Sequence, residues 1–388
     1  MHYKYSTITI RELLEFATSE KINLSPPYQR GFIWSLSDQK ALIRTISKGY
    51  PLPNLFIRVL EDNKMEMVDG QQRSRTIIKF NKNEIRITSR DNIEVCDTET
   101  FLNYVLQVAY IYQISNEEIR EIYYYINKKG INLNDPERQQ AYYSDTLFLK
   151  LAEELSNNQL LINLDLFSDK LMSRFNDREF IQELLGYLYK FIDDKNNNVN
   201  TGFEGIRDKK IYIEKEIFSV DINEKEYEVL RTEFQNILIV LSDWNNIYPI
   251  NQTRYKQKSD FYTIFCFLNK HGNVSKSLLE YQYRILLFFN QKDKNENQFI
   301  RPTNEECDAL KKYAINCVSQ SNSKKAREER LLFWESILLN TEDIDNVENN
   351  PTLLSVLNYF GGQYGDDKVE LIKIQKYNLL DIELLNNL

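Results

Sequence analysis

A chain of 388 residues that is 42% hydrophobic, 27% charged and 13% aromatic, with only 11 Gly and 8 Pro, is globular and neither disordered nor collagen-like. Two histidines, His2 and His271, are the whole supply, which weighs against a two-histidine zinc site, a Ser-His-Asp triad and a histidine-centred nuclease. The net charge of −8 argues against a generic basic nucleic-acid binder, yet residues 1–90 hold 15 Lys+Arg against 9 Asp+Glu, leaving +6 there and −14 in 91–388.

Cys96, Cys266, Cys307 and Cys317 form no CxxC pair and suit reduced, mostly buried thiols of a cytosolic protein. No apolar run reaches the ~18 residues needed to span a bilayer. The N-terminal MHYKYSTITIRELLEF lacks a signal-peptide pattern, so the expected location is cytoplasmic.

In chain order, Thr9-Ile-Arg-Glu12 is a capping box that opens a helix through Leu13, Leu14 and Phe16. Ser35-Leu-Ser-Asp38 opens a second, with Leu42, Ile43 and Ile46 as its stripe and Gly49 as its stop. Residues 55–68 read as a hairpin around Glu61-Asp-Asn-Lys64. Asp69-Gly70 breaks the second strand, and 71–81 has helical spacing. Short strands are expected at 84–88, 93–96 and 105–114, then a helix capped at Ser115 and stopped at Gly130.

Beyond residue 135 the chain reads as helices at 137–156, 177–193, 224–243, 259–270, 276–290, 304–318 and 324–340. The fold class is α+β: an α/β domain over 1–150, then a mostly helical domain over 151–388 with a possible linker at 193–210.

The most informative stretch is Val68-Asp-Gly-Gln-Gln-Arg73, where a strand turns into a helix. Such a turn aims unpaired N–H groups and a helix dipole at the space above the strand, which suits phosphate. Gly70 lets backbone approach an anion, Arg73 offers a planar fork, Asp69 can hold Mg²⁺ or a water, and Gln71 or Gln72 can position a nucleophile or a ribose. An ordinary strand–turn–helix with Asp69 as N-cap uses the same residues.

Ser25-Pro-Pro-Tyr-Gln-Arg30 presents Tyr28, Gln29 and Arg30 on a stiff backbone, an aromatic, amide and guanidinium set for base, sugar or phosphate. A structural Pro-Pro turn with Arg30 paired locally is the plainer account. Asn127 and Glu137 flank a helix–helix corner and either face a site or serve as cap and dipole complement. Arg254–Lys258 and Lys324–Arg330 are basic runs suited to DNA backbone, the second also suiting a solvated helix face. There is no GxxxxGK[ST] loop.

The combination and order of Pro27-Tyr-Gln-Arg30 with Trp34, Gly49-Tyr-Pro-Leu-Pro53, Asp69-Gly-Gln-Gln-Arg73, and Ile126-Asn-Lys-Lys-Gly-Ile-Asn-Leu133 before Glu137 and Ala141 resemble the DUF262 family. This is the ParB/sulfiredoxin-like nucleotide-binding domain of GmrSD-type restriction proteins and SspE-like defence proteins. The resemblance covers 1–150 and continues weakly through Ser173–Phe180.

It implies an NTP-binding and NTP-hydrolysing sensor in bacterial anti-phage defence that gates a separate effector or nuclease, with Mg²⁺ as companion of the nucleotide. Asp69, Gln72 and Arg73 are the implied catalytic residues; Tyr28, Gln29, Arg30, Gly70, Gln71, Asn127 and Glu137 are the implied nucleotide contacts. No protein-held metal set is assigned. DNA, modified or not, is an implied partner, and a homodimer is plausible on the same ground. Where many relatives have Arg two residues after the Glu, this chain has Gln139, next to Arg138. With no HxxP or paired-His segment, a nuclease centre is not expected. The alternatives are a non-catalytic, nucleotide-switched DNA clamp or adaptor, and a protein–protein scaffold with a decayed site.

Overall fold

The computed structural model describes residues 1–91, 93–127, 134–172, 174–197, 206, 208–293, 295–319, 321–339 and 350–364. Two compact units emerge. The first joins Met1–Asp145 with Phe167–Glu179; the second joins Thr146–Leu166 with the described residues from Phe180 on.

The first unit runs β1 (His2–Thr9), α1 (Ile10–Thr18), β2 (Ile22–Asn23), α2 (Leu36–Ser47), β3 (Leu55–Val59), β4 (Met65–Asp69), α3 (Gln71–Asn81), α4 (Thr98–Leu102), β5 (Val105–Tyr112), α5 (Asn116–Asn127) and α6 (Asp135–Tyr143). The strands form one sheet in the order β1-β5-β3-β4-β2. Pairs β1–β5 and β3–β4 are antiparallel, β3–β5 and β2–β4 parallel.

Local chemistry sets the helix starts. Thr9 and Glu12 close a reciprocal capping box at α1, as do Ser35 and Asp38 at α2 and Asn134 and Glu137 at α6. Gly49, at φ 68°, reverses the chain after α2.

Strand alternation then splits the apolar residues between two cores. Ile57, Met67 and Val108 pack with Leu13, Ile43 and Ile77 of the first three helices. Val68 and Ile111 pack on the opposite face with Tyr28, Ile119, Tyr123 and Ala141.

The strands expected at 84–88 and 93–96 are absent. Asp91 instead draws the chain into a tight turn, accepting from the Thr88 N–H (2.7 Å), the Thr88 hydroxyl (2.8 Å) and Lys40 (2.6 Å). Asp97 caps α4 a few residues later. β1 has no counterpart in the sequence reading because His2–Thr7 is exposed and carries no apolar alternation.

The chain continues through α7 (Leu147–Ser156), α8 (Gln159–Asn163), α9 (Asp169–Met172) and α10 (Asn176–Asn196). Of the linker expected at 193–210, residues 198–205 and 207 lie outside the described residues. The second unit adds α11 (Lys209–Tyr212), which runs into a π-turn, then α12 (Glu224–Ile247), α13 (Lys258–His271), α14 (Lys276–Phe289), α15 (Asp308–Val318), α16 (Lys324–Leu338) and α17 (Pro351–Tyr364). Every residue from Asp260 to Leu268 is buried, which makes α13 the central helix. The whole is α+β, as the sequence indicates.

The arginines of the two basic runs are interior, which corrects their reading as DNA contacts. Arg254 pairs with buried Asp260 (3.2 Å) and donates to the Ile300 carbonyl (2.9 Å). Arg330 donates to Thr263 Oγ1 (3.0 Å) and to the Asn316 and Ser321 carbonyls (2.6 and 2.9 Å). Arg327 donates to the Ile206 carbonyl. His271 lies with Nε2 2.8 Å from Glu335 Oε1. No helix among the described residues is long and apolar enough to cross a membrane.

Candidate functional site

β4 delivers the chain to Asp69, Gly70 turns it at φ 109°, and α3 begins at Gln71. That left-handed angle is a glycine position, and a Cβ there would run into Leu55 Cδ2 on the neighbouring strand. With glycine as N-cap, no side chain caps α3. The N–H groups of Gln71, Gln72 and Arg73 have no intrahelical partner, and the helix dipole adds partial positive charge beside them. Asp69–Arg73 line a cavity of about 240 Å³, together with Gln29, Arg30, Trp34, Val68 and Tyr123.

The Pro-Pro loop is fastened over the end of β4. Gln140 Nε2 donates to the Pro27 carbonyl (2.8 Å), and the Gln29 amide donates to the carbonyls of Val68 (2.9 Å) and Met67. Gln29 therefore ends the strand and lines the cavity at once.

Tyr28 does not line it. Its ring is buried in the second core, 5.6 Å edge-on from Tyr123. Burial drives the Tyr28 phenol well above its ordinary value, and the Tyr123 phenol, also by burial, up to about 12.

Arg30 carries the available charge. It is 8% exposed, and its Nη1 has no hydrogen-bond partner among the described residues. The nearest carboxylate oxygen in an ion pair with it is Glu137 Oε1 at 3.8 Å, beyond hydrogen-bond length. Glu137 is 1% exposed and already engaged: it accepts from the Asn134 N–H (2.8 Å) and from Arg174 Nε and Nη2 (3.0 Å each).

Arg73 is differently placed. Its Nη2 pairs with Asp69 (2.8 Å) and donates to the Asn54 carbonyl (3.1 Å), while Nη1 donates to Pro53. Burial lowers its proton affinity below the arginine norm, and Asp69 pulls it back up. With Asp69 matched to Arg73 and Glu137 to Arg174, Arg30 gives the cavity a surplus positive charge.

The two glutamines divide their roles. Gln72 Oε1 accepts from the N–H groups of Ile33 (2.9 Å) and Trp34 (3.2 Å), and its Nε2 donates to the Gly31 carbonyl (3.0 Å) and to Gln71 Oε1 (3.1 Å). It clamps the 31–34 loop to α3. Gln71 is buried, and its Nε2 has no partner among the described residues, so it is a second unused donor at the cavity.

The structure thus brings Asp69, Gly70, Gln71, Gln72, Arg73, Gln29 and Arg30 to one cavity, with Glu137 behind Arg30. Asn127 ends α5, and its side chain lies outside the described residues. Trp34 and Tyr123 line the cavity without having been chosen as site residues. Trp34 was visible as the end of the Pro-Tyr-Gln-Arg motif. Arg174 had no spacing signal, because it meets Glu137 across 37 residues.

Among the described residues no group of three or more His, Cys, Asp or Glu side chains could hold a metal ion. Asp69 is the one carboxylate on the cavity wall among the described residues, and it is paired. These donors fit an anion; a Mg²⁺ here would share Asp69 with oxygens of the anion it accompanies. Cysteine chemistry has no place in this site, since Cys96 packs against the first core and the other three thiols are buried in the second unit.

No curated protein and no solved structure matches the chain. The family described as GmrSD restriction endonuclease, N-terminal domain, matches residues 10–276, more than half of the sequence and all of α1 to α6. The strand–Gly–helix cavity lies inside that match, and the chain belongs to this family of GmrSD N-terminal domains.

Proposed function

We propose that the first unit binds a nucleoside triphosphate through its phosphates and hydrolyses it. The chain would thereby act as the sensor subunit of a GmrSD-type restriction system, gating a separate effector. The observation that carries this is the buried Nη1 of Arg30, without a hydrogen-bond partner among the described residues, at the cavity where α3 begins uncapped. Two independent sources of positive potential converge on about 240 Å³, enough for a chain of phosphoryl groups.

In this account the N–H groups of Gln71–Arg73, Arg30 Nη1 and Gln71 Nε2 receive phosphate oxygens. Asp69, held by Arg73, orients a water for attack on the terminal phosphorus; Asp69 is also the residue that would help hold a Mg²⁺ accompanying the triphosphate, which would supply charge neutralisation there. Gln72 keeps Trp34 at the rim. Tyr28 supports the site from the core. The local surplus of basic residues in 1–90 supports DNA as the sensed partner.

A second reading, a nucleotide-switched DNA clamp without turnover, is favoured by the engagement of Gln72 and Arg73 with the surrounding loops. A melting-temperature screen with each of the four ribonucleoside triphosphates, with and without DNA, tests binding, because a ligand of the native state raises its stability. Phosphate release over many turnovers separates the two readings. Absence of any shift with all four would overturn both.

A further inference from the structure

Glu137 is an almost completely buried carboxylate with two arginines beside it, and the two are not equivalent. Arg174 meets it with two parallel hydrogen bonds of 3.0 Å, the planar fork geometry that gives the strongest carboxylate pairs. Arg30 stands off at 3.8 Å. Counting the Asn134 N–H, three of the roughly four acceptor positions of the Glu137 carboxylate are taken before Arg30 is reached. Glu137 thus orients Arg30 without neutralising it.

Arg174 lies outside the cavity lining, on the Phe167–Glu179 segment that returns to the first unit, and its side chain is 29% exposed. Without it the buried Glu137 charge would lack its bidentate partner. Among the described residues, the other cation paired with Glu137 is Arg30, which could replace that partner with a shift of under about 1 Å to hydrogen-bond length. Arg30 would then be matched, and the cavity would lose its surplus charge.

We infer that Arg174 is a positioning residue of the phosphate site: by saturating Glu137 it keeps Arg30 charged and directed at a phosphate group. The inference rests on the reading of the cavity as a phosphate site. It makes anion affinity depend on a residue that does not touch the anion, and it gives Glu137 a double role. Glu137 caps α6 through Asn134 and relays the state of Arg174 to Arg30.

The test is calorimetric titration of inorganic triphosphate into the full chain and three variants: Arg174→Gln, Glu137→Gln and the double substitution. Arg174→Gln is expected to weaken binding at least about tenfold, through the loss of one unit of net positive charge behind the cavity. The double substitution is expected to recover most of that loss, because glutamine can still close the capping box but no longer claims Arg30. Glu137→Gln alone takes the carboxylate away from Arg30 and is expected to bind at least as tightly as the unsubstituted chain, whereas a merely structural Arg174–Glu137 pair would make that variant bind more weakly.

Should Arg174→Gln fail to fold, Arg174→Lys keeps the charge without the fork and is expected to show a smaller loss, again reversed by Glu137→Gln. Unchanged affinity in the Arg174 variant, or a double variant as weak as the single one, would overturn the inference while leaving the phosphate site intact. No binding by the unsubstituted chain would overturn the phosphate site, and the inference with it.

Discussion

Asp69 and Arg73 close a 2.8 Å ion pair across the first turn of α3, and the same guanidinium reaches the Pro53 and Asn54 carbonyls. Arg73 therefore ties together the end of β4, the start of α3 and the loop entering β3. The loop carbonyls depend on Arg73 and not on Asp69. Arg73→Ala is expected to cost about 1–3 kcal/mol in urea unfolding, and Asp69→Ala less, since the ion pair it removes is partly exposed and Arg73 keeps its two carbonyl acceptors. Both should abolish triphosphate turnover. Equal stability losses would contradict the arrangement.

Gly70→Ala places a Cβ against Leu55 and forces an alanine to φ 109°. The expected loss is about 1–3 kcal/mol of stability, read from the urea midpoint. Leu55→Ala in the same chain should relieve the clash but not the backbone strain. Complete recovery in the double variant would show that the angle is not what requires glycine.

The thiols give a separate check. Burial pushes the Cys317 thiol up to about 12, and that of Cys266 higher still. In the native protein a thiol reagent is expected to modify Cys96 alone, with Cys266, Cys307 and Cys317 reacting only after denaturation. Rapid native modification of more than one cysteine would contradict this packing.

Acid sensitivity follows from Asp91. Lys40 first, then the Thr88 N–H and hydroxyl, hold its carboxyl down to about 2. Folding favours the ionised form, so this contribution is complete above the ordinary value of 3.8 and is lost as pH falls towards 2. Asp91→Asn should remove that part of the acid dependence between about pH 4 and pH 2 and leave the slope near neutrality unchanged. Denaturation midpoints across that window check it. An unchanged acid limb in the variant would contradict the assignment.

What was legible in the sequence was local. Thr9 with Glu12 and Ser35 with Asp38 announce helix starts because each box is closed within three residues. The break at Gly70 announces α3 because only glycine turns there at no steric cost. The convergence of Arg30 on the same cavity was suggested by motif order, but its distance from Glu137 was not.

What stayed hidden depended on remote partners. β1 has no apolar period because it is an exposed edge strand, aligned by its ladder with β5. Arg254, Arg327 and Arg330 look like surface charge in one dimension, and become interior through Asp260, Thr263 and backbone carbonyls far along the chain. Arg174 is the clearest case, since nothing near it in sequence points to Glu137.

The central claim is that Arg30 and the uncapped start of α3 hold phosphate, and the most direct measurement compares triphosphate-induced melting shifts in the unsubstituted chain and in Arg30→Gln. The account expects a concentration-dependent rise in the first and its loss in the second, the two proteins having the same fold by circular dichroism. Equal shifts in both, or none in the unsubstituted chain, would contradict it.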